Sequence, residues 1–258
     1  MNELLYYDLK DANGVAPGLA MQISRELGRR IVAGHYKEDA LIEDEGKLSQ
    51  RFGVSKSVIS EGVKLLVSKG LLEVKRGNGT RVRRRASWAL LDYDVLAWHL
   101  SVDTKPMFLR QLLDIRQMME PKAAAWAALH GTDAQHADIE AAQIRMEEES
   151  HSIEDFVVAD ALFHRTILRA ANNEILLSME GVIFSALLSS IRMTNRDPRE
   201  NVSSIPFHRK VLDAIKARDH KQAEKMMNDH LSDTSQRLKS ALGETPGGVI
   251  SNGGPRTD

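Results

Sequence analysis

The sequence contains no cysteine, and this absence excludes disulfide bonds, thiolate metal sites and a cysteine nucleophile. It also contains no apolar run long enough to cross a membrane. Its first residues, MNELLYYDLKD, lack the basic and apolar segments of a secretory signal. We therefore expect a globular protein of the reducing cytoplasm, not bound to a membrane, whose 258 residues are enough for two domains with separate cores.

The whole chain has no large excess of either charge, since its formal net charge is −1, but the balance differs between its two parts. Residues 1–85 hold 16 lysines and arginines against 11 acidic residues, whereas the remainder holds 19 against 25. A basic part joined to an acidic part indicates that one of them meets a polyanion. Such asymmetry is also typical of two differently solvated surfaces.

The first third of the chain begins with three helical patterns. A hydrophobic helical period runs from Gly18 to Gly34, and a second, shorter helix is predicted after Asp44, which is a good N-cap residue. Ser55 caps a third pattern, KSVISEGVKLLVSKG, which Gly70 ends. The close succession of the last two helices is typical of a helix-turn-helix.

A β-hairpin is predicted directly after the third helix. LLEVK (71–75) and RVRRR (81–85) read as strands around RGNGT, which contains the Asn-Gly dipeptide favoured in tight turns. Six of the eleven residues in 75–85 are basic, which suits a surface that faces phosphates. A helix-turn-helix followed by such a hairpin predicts a winged helix-turn-helix DNA-binding domain over 14–85.

Candidate DNA-binding residues lie at the start of the third helix and on the hairpin. The second helix of a helix-turn-helix presents its N-terminal residues to the base edges, while cations nearby hold the phosphates. A basic run alone is more often a solvated face, but its position after this motif favours DNA binding. The candidates are Lys56, Ser57, Ser60, Lys75, Arg76, Arg81, Arg83 and Arg84.

The second part of the chain has helical spacing and no strand signal, so the fold class is mainly α, with an all-helical antiparallel bundle after the winged helix-turn-helix. The predicted bundle helices are 107–129, 134–149, 153–171, 174–193, 206–217 and 220–242. The remaining predicted segments are a flexible N-terminal arm (1–13), a connector (86–104), the bundle domain (105–242) and a disordered tail (243–258).

Four polar residues of the bundle predict a metal site. Asp160 and His164 are spaced i, i+4 and so share a helical face, and His208 and His230 lie on two later helices that can meet at a similar height. A carboxylate with three imidazoles suits a divalent ion, with zinc as the first choice and nickel or manganese as alternatives. Any one of these histidines, taken alone, fits an ordinary hydrogen-bonded residue better.

The segment LSQRFGVSKSVISEGVKLLVSKGLLEVKRGNGTRV resembles the DNA-binding domain of the GntR family of bacterial transcription regulators. The second half resembles FCD, the helical ligand-sensing domain of the FadR subgroup. The resemblance implies a homodimer that binds double-stranded operator DNA and responds to a small carboxylate effector. Lys56, Ser60 and Gly46 stand where family members carry arginine, so the resemblance does not imply the usual operator.

The resemblance also bears on the sensing site. The metal-binding branch of FCD uses Asp-x-x-x-His and two later histidines, which match the four residues named above. Arg116, in DIRQMMEP, matches an arginine that faces the effector, and Arg192 is a second, weaker match. LLDYDVLAWHL and IRQMMEPKAAAWAA resemble the galactonate-operon type of the subgroup, which implies a sugar-acid effector. Asn173 resembles a residue that starts a helix, and we interpret it as a cap.

We therefore interpret the chain as a ligand-responsive transcription regulator, a repressor of a catabolic operon, and not as an enzyme. One alternative is a metal-dependent hydrolase, because a divalent ion held by Asp and His can activate water. The chain has no HExxH, GxSxG or Walker motif, however, and the helix-turn-helix would have no role in such an enzyme. A third alternative is an architectural DNA-binding protein whose bundle and metal are purely structural.

Overall fold

The computed structural model describes residues 18–101, 106–181, 184 and 198–243. The chain divides into two compact units at the boundary between Lys105 and Pro106. The first unit holds helices and a two-stranded sheet, and the described part of the second unit is helical. The predicted fold class is thereby confirmed. No described helix combines the length and the apolarity that a membrane span requires.

The first unit is a winged helix-turn-helix with one further helix. Its elements in chain order are α1 (Leu19–Val32), α2 (Glu45–Phe52), α3 (Lys56–Ser68), β1 (Leu72–Lys75), β2 (Gly79–Val82) and α4 (Tyr93–Ser101). The caps follow the sequence prediction, because Asp44 accepts a hydrogen bond from Lys47 N at 3.0 Å and Ser55 accepts one from Val58 N at 3.4 Å. Gly53, with φ 65°, makes the tight turn between α2 and α3.

The hairpin is antiparallel, with Leu72 opposite Val82 and Lys75 opposite Gly79. The prediction that the second strand runs over 81–85 was wrong beyond Val82. Arg83 N still bonds to the carbonyl of Leu71 at 2.8 Å, but its own carbonyl accepts from Trp88 Nε1 at 2.9 Å. The indole therefore replaces a strand partner, and the chain turns into a short 3-10 helix over Arg85–Ser87.

Helix α4 lies in the predicted connector and packs into the core of the first unit through Val95 and Trp98. Trp98 is 1% exposed and lies over Gly28 of α1, where an added Cβ would meet the indole at 2.3 Å. Lys69, the C-cap of α3, contacts Asp92 at 2.8 Å and Asp94 at 2.7 Å. These contacts join the connector to the helix-turn-helix.

The second unit is a helical bundle. Its helices are α5 (Pro106–His130), α6 (Asp133–Glu148), α7 (Ile153–Ala170), α8 (Glu174–Ser178), α9 (Pro198–Lys216) and α10 (His220–Ala241). Helix α10 packs against α5 and α9, while α7 packs against α5 and α6. The shared core of these helices is where the predicted metal ligands lie.

Two bundle helices differ from their predicted bounds. The sequence predicted a helix over 206–217, but α9 begins at Pro198. Asn201 is fully buried and donates to the carbonyl of Ser150 at 3.1 Å, so tertiary contacts hold the extra helical turns. The predicted helix 174–193 is interrupted after Ser178, and most of its second half lies outside the described residues. Asn173 caps α8 as predicted.

Candidate functional site

Four helices of the second unit bring six ionisable side chains into one buried cluster. Each of these side chains is 5% exposed or less. Charged or basic groups at such depth require partners or a ligand, because burial without them is costly. The residues are Arg116 and Glu120 on α5, Asp160 and His164 on α7, His208 on α9 and His230 on α10.

Asp160 lies between two of the histidines. Its Oδ1 is 3.2 Å from Nε2 of His164 and 3.4 Å from Nε2 of His208. Neither contact has the geometry of a hydrogen bond, so the oxygen and both nitrogens have no hydrogen-bond partner within the described parts of the chain. The i, i+4 face predicted for Asp160 and His164 is therefore present, and it points into the core.

The three histidines converge from three helices. One ligand nitrogen from each of His164, His208 and His230 lies within 4.8 Å of the other two. The rings of His208 and His230 are 4.2 Å apart between centroids, and those of His164 and His230 are 5.3 Å apart. Two imidazole nitrogens at roughly 2.1 Å from one ion can be at most about 4.2 Å apart, so a small inward shift would bring the set onto an ion.

Contacts behind the histidines decide which nitrogen faces the cluster. Nδ1 of His208 lies 3.0 Å from the carbonyl of Ser204 and must donate to it, since a carbonyl only accepts. Nε2 is then the atom next to Asp160. Nδ1 of His164 contacts a carboxylate oxygen of Glu120, although neither atom has a hydrogen-bond partner within the described residues. In both rings Nε2 faces Oδ1 of Asp160.

The electrostatics of the cluster keep its carboxylates ionised. Burial would raise the pKa of Glu120, but the charge of Arg116 and the contact with His164 outweigh it and lower the pKa to about 2. Burial would likewise raise the pKa of Asp160, yet His208 and His164 hold it well below its usual range. Burial and the neighbouring His208 hold the pKa of His230 well below 6.5, so this ring is neutral at pH 7.

The cluster fits a divalent metal ion. Oδ1 of Asp160, Nε2 of His164, Nε2 of His208 and Nδ1 of His230 are all buried atoms without a hydrogen-bond partner in the described residues. Orphaned acceptors are costly in a core unless a ligand satisfies them. Three imidazoles and a carboxylate are the donors that zinc and other first-row ions take.

Arg116 was predicted to hold an effector, and in the structure its Nε donates to Glu120 Oε1 at 2.6 Å, beside the histidines. The second candidate, Arg192, lies outside the described residues. Sequence reasoning missed Glu120. A signal was present, because Arg116 and Glu120 are spaced i, i+4 on the apolar face of α5, where an ionic pair is unusual.

Two further histidines are buried but have structural surroundings. Nε2 of His136 lies 2.9 Å from the carbonyl of Ala127 at the C-terminal end of α5. His99 packs beside Trp88, with ring centroids 5.7 Å apart. Burial, together with the charge of Arg85, lowers the pKa of His99 to about 4. Neither residue belongs to the metal-ligand cluster.

The candidate DNA-contacting residues of α3 lie at its N-terminal end, as predicted. Lys56 and Ser57 are exposed and Ser60 is partly exposed. Ser57 shares a 2.8 Å hydrogen bond with Ser55, the cap of the helix. Lys56 lies over Gly46 of α2, where an added Cβ would be 3.9 Å from the lysine Nζ. Lysine at position 56 and glycine at position 46 are therefore neighbours.

The wing cations differ in their partners. Arg81 donates to the carbonyl of Asp39 at 2.9 Å, and Arg84 pairs with the Asp39 carboxylate at 3.1 Å. Lys75 pairs with Glu73 on the same strand at 2.8 Å. These side chains are largely exposed, and such pairs are weak enough for a phosphate to replace them. Within the described residues, Arg76 and Arg83 form no ion pair.

Both units match known protein families. A family model for bacterial regulatory proteins of the gntR family matches residues 19–82, and the FCD domain model matches residues 111–233. The galactonate operon transcriptional repressor of Escherichia coli (strain K12) is 31% identical over 214 residues, which cover 83% of this chain and 93% of that protein.

Other relatives differ in regulatory sign or share only the fold. The Glc operon transcriptional activator of Escherichia coli (strain K12) is 26% identical over 225 residues, which cover 84% of this chain and 87% of that protein. The solved structure of Lar, which controls the expression of the Listeria monocytogenes agr system, has a TM-score of 0.61 at 16% identity. This likeness covers 88% of the present chain and 99% of Lar, and it shows a common fold.

Proposed function

The chain belongs to the GntR family of bacterial transcription regulators and carries an FCD domain, and we propose that it represses a catabolic operon until a small carboxylate effector binds at a divalent metal ion. The observation that supports the sensing part is the buried convergence of His164, His208 and His230 with Asp160. The relatives are transcription regulators and not enzymes, so the alternative function as a metal-dependent hydrolase has no support from them.

DNA binding is assigned to residues 14–85. Lys56, Ser57 and Ser60 reach the base edges from the start of α3, and the wing cations hold the flanking phosphates. The wing set is Lys75, Arg76, Arg81, Arg83 and Arg84. Lysine offers a single point charge and serine a short donor, so this helix reads a different set of bases from one that carries arginines.

The regulator acts as a homodimer on a pseudo-palindromic operator. Two copies of α3 then enter successive major grooves on one face of the DNA, as in other helix-turn-helix dimers. Effector binding changes the relative placement of the two recognition helices. To work as a switch, the effector must favour one arrangement over the other by roughly 1–3 kcal/mol.

The metal is held by Asp160, His164, His208 and His230, with zinc as the first assignment and nickel or manganese as alternatives. A bound divalent ion supplies a Lewis acid that accepts carboxylate and hydroxyl oxygens of the effector. The neutral state of His230 and the ionised state of Asp160 suit this role, because protons do not occupy their lone pairs at pH 7.

The other end of the effector meets an arginine. Arg116 is the first candidate, since its buried guanidinium lies beside the histidines and already contacts one carboxylate, that of Glu120. Arg192 is the second candidate. Similarity to the galactonate operon repressor favours a sugar acid as the effector and repression as the regulatory sign. The Glc operon activator shows that relatives at a similar distance also activate, so the sign needs a test.

The proposal is tested by selecting operators from a random DNA pool and measuring their release. The metal-loaded protein is expected to bind a pseudo-palindromic sequence. Its affinity for this DNA is expected to fall at least tenfold when the effector is present among the added sugar acids. Metal-free protein should bind the same DNA without responding to any of them. Equal responses of the loaded and metal-free protein would contradict the sensing role of the metal, and selection of no sequence would contradict specific recognition.

A further inference from the structure

Glu120 contacts two functional residues with its two carboxylate oxygens. Oε1 accepts from Nε of Arg116 at 2.6 Å, and Oε2 contacts Nδ1 of His164. The side chains of all three residues are 2% exposed or less, so water cannot replace either partner without entering the core. Glu120 and Arg116 lie on α5, whereas the four proposed metal ligands lie on α7, α9 and α10.

The contact with Glu120 determines which edge of the ring His164 shows to the cluster. Nδ1 of His164 lies against Oε2 of Glu120. Nε2 therefore faces the cluster, where it lies 3.2 Å from Asp160 Oδ1. If Nδ1 lost this partner, the ring could rotate and take Nε2 away from the other metal donors.

We infer that Glu120 is a positioning residue that fixes the orientation of His164, that Arg116 holds Glu120 in place, and that this pair sets the metal affinity of the site. The inference rests on the proposed metal site but makes no use of the effector. Carboxylates behind metal-bound histidines commonly change metal affinity by roughly 10–100-fold when they are removed.

Arg116 has a defined part in this arrangement. Its cation offsets the buried negative charge of Glu120, which would otherwise lie uncompensated in the core. Its Nε donates to Oε1, while Oε2 contacts His164. A purely structural ion pair would need no histidine on the second oxygen, so this second contact distinguishes the two roles.

The test compares zinc affinity in the metal-free parent, in Glu120→Gln and in a control, Glu147→Gln. Glutamine keeps the shape but has an oxygen at only one of the two carboxylate positions, so it cannot present an oxygen to both Arg116 and His164. Glu147 is a fair control, because it also pairs with an arginine, Arg209, and touches no histidine of the cluster. Affinities are measured by competition with a chromophoric chelator, after circular dichroism has shown that each variant is folded.

Glu120→Gln is expected to weaken zinc binding by roughly 10–100-fold, whereas Glu147→Gln changes it by less than about twofold. Equal zinc affinity in the parent and Glu120→Gln overturns the inference and leaves the metal proposal standing. A parent that binds no zinc, nickel or manganese overturns the metal proposal itself. The two failures are therefore distinguishable.

A second variant keeps the inference testable if Glu120→Gln does not fold. Glu120→Asp keeps the charge but shortens the side chain, so one carboxylate cannot reach both Arg116 and His164. It is also expected to weaken zinc binding. A folded Glu120→Asp with the zinc affinity of the parent would overturn the inference.

Discussion

Nε2 of His208 lies 3.4 Å from Oδ1 of Asp160, although the two residues belong to different helices, α9 and α7. The contact lacks hydrogen-bond geometry, so neither atom has a hydrogen-bond partner within the described residues. One ion bound between them would join these helices and, through His230, also α10. Metal binding should therefore stabilise the bundle as well as prepare it for an effector.

Adding zinc or nickel to metal-free protein is expected to raise the melting temperature of the bundle. A ligand at 100 times its Kd adds about 2.7 kcal/mol when only the native state binds it. Asp160→Asn should remove most of this rise, because the amide is a poor substitute for an anionic ligand. Asp138→Asn, an exposed change on α6, is the matched control and should keep the full rise in calorimetry. Equal rises in both variants would exclude Asp160 as a ligand.

Lys56→Ala is expected to weaken binding to the selected operator by about 1–3 kcal/mol, with a smaller effect on random DNA. Arg84→Ala should weaken binding to both DNAs alike, because a wing cation meets phosphates and not bases. The ion pair of Arg84 with Asp39 is largely exposed and offers little resistance to this exchange. Fluorescence anisotropy on both DNAs gives, for each variant, the ratio of its affinity for the operator to its affinity for random DNA. An unchanged ratio for Lys56→Ala would show that α3 does not read the operator through this residue.

Gly28→Ala is expected to destabilise the first unit by about 1–3 kcal/mol, since the new methyl group would lie 2.3 Å from the Trp98 ring. The displaced indole should weaken the packing of α4 on α1. Chemical denaturation would then show a lower denaturant concentration at the midpoint of unfolding. The same substitution in a Trp98→Leu background is the control, because the smaller side chain leaves room. If the cost of Gly28→Ala were the same in both backgrounds, the clash would not be its cause.

The pKa of His99 predicts a pH dependence of stability. Because burial and Arg85 lower it to about 4, the unfolded chain, with an ordinary pKa near ~6.5, binds the proton first as the pH falls. The stability contribution of neutral His99 is complete above pH ~6.5 and is lost progressively towards pH ~4. His99→Gln should therefore show a shallower fall in melting temperature over this range, while His35→Gln, at an exposed position, should follow the parent. Parallel pH profiles of melting temperature for the parent and His99→Gln would show that the pKa of His99 is not lowered in the folded protein.

Local signals in the sequence predicted most of the fold correctly. The caps Asp44, Ser55 and Asn173 act through residues close in the chain, so the helix starts that they predict were correct. The errors arose where tertiary contacts decide. Trp88 ends the second wing strand early by binding the carbonyl of Arg83, and the buried Asn201 extends α9 in front of Pro206. The family identified from the sequence is confirmed by its relatives.

The candidate site was predictable in its centre and not in its surroundings. Spacing on α7 paired Asp160 with His164, and the two later predicted helices supplied His208 and His230. The resemblance matched all four, and they converge in the structure. The contact between Glu120 and His164 joins two helices distant in sequence, and no periodic pattern predicts which buried carboxylate meets which ring. The DNA-contacting residues and the effector arginines stay predictions, since they need a partner molecule to be tested.

Elemental analysis of untagged protein, purified without chelators, tests the metal site most directly, with a His208→Ala and His230→Ala double variant measured beside it. The account predicts about one divalent ion per chain in the parent and none in the folded double variant. A parent that holds no ion, even after incubation with zinc, nickel and manganese, would contradict it. An equal metal content in the folded double variant would contradict the assignment of these two histidines as ligands.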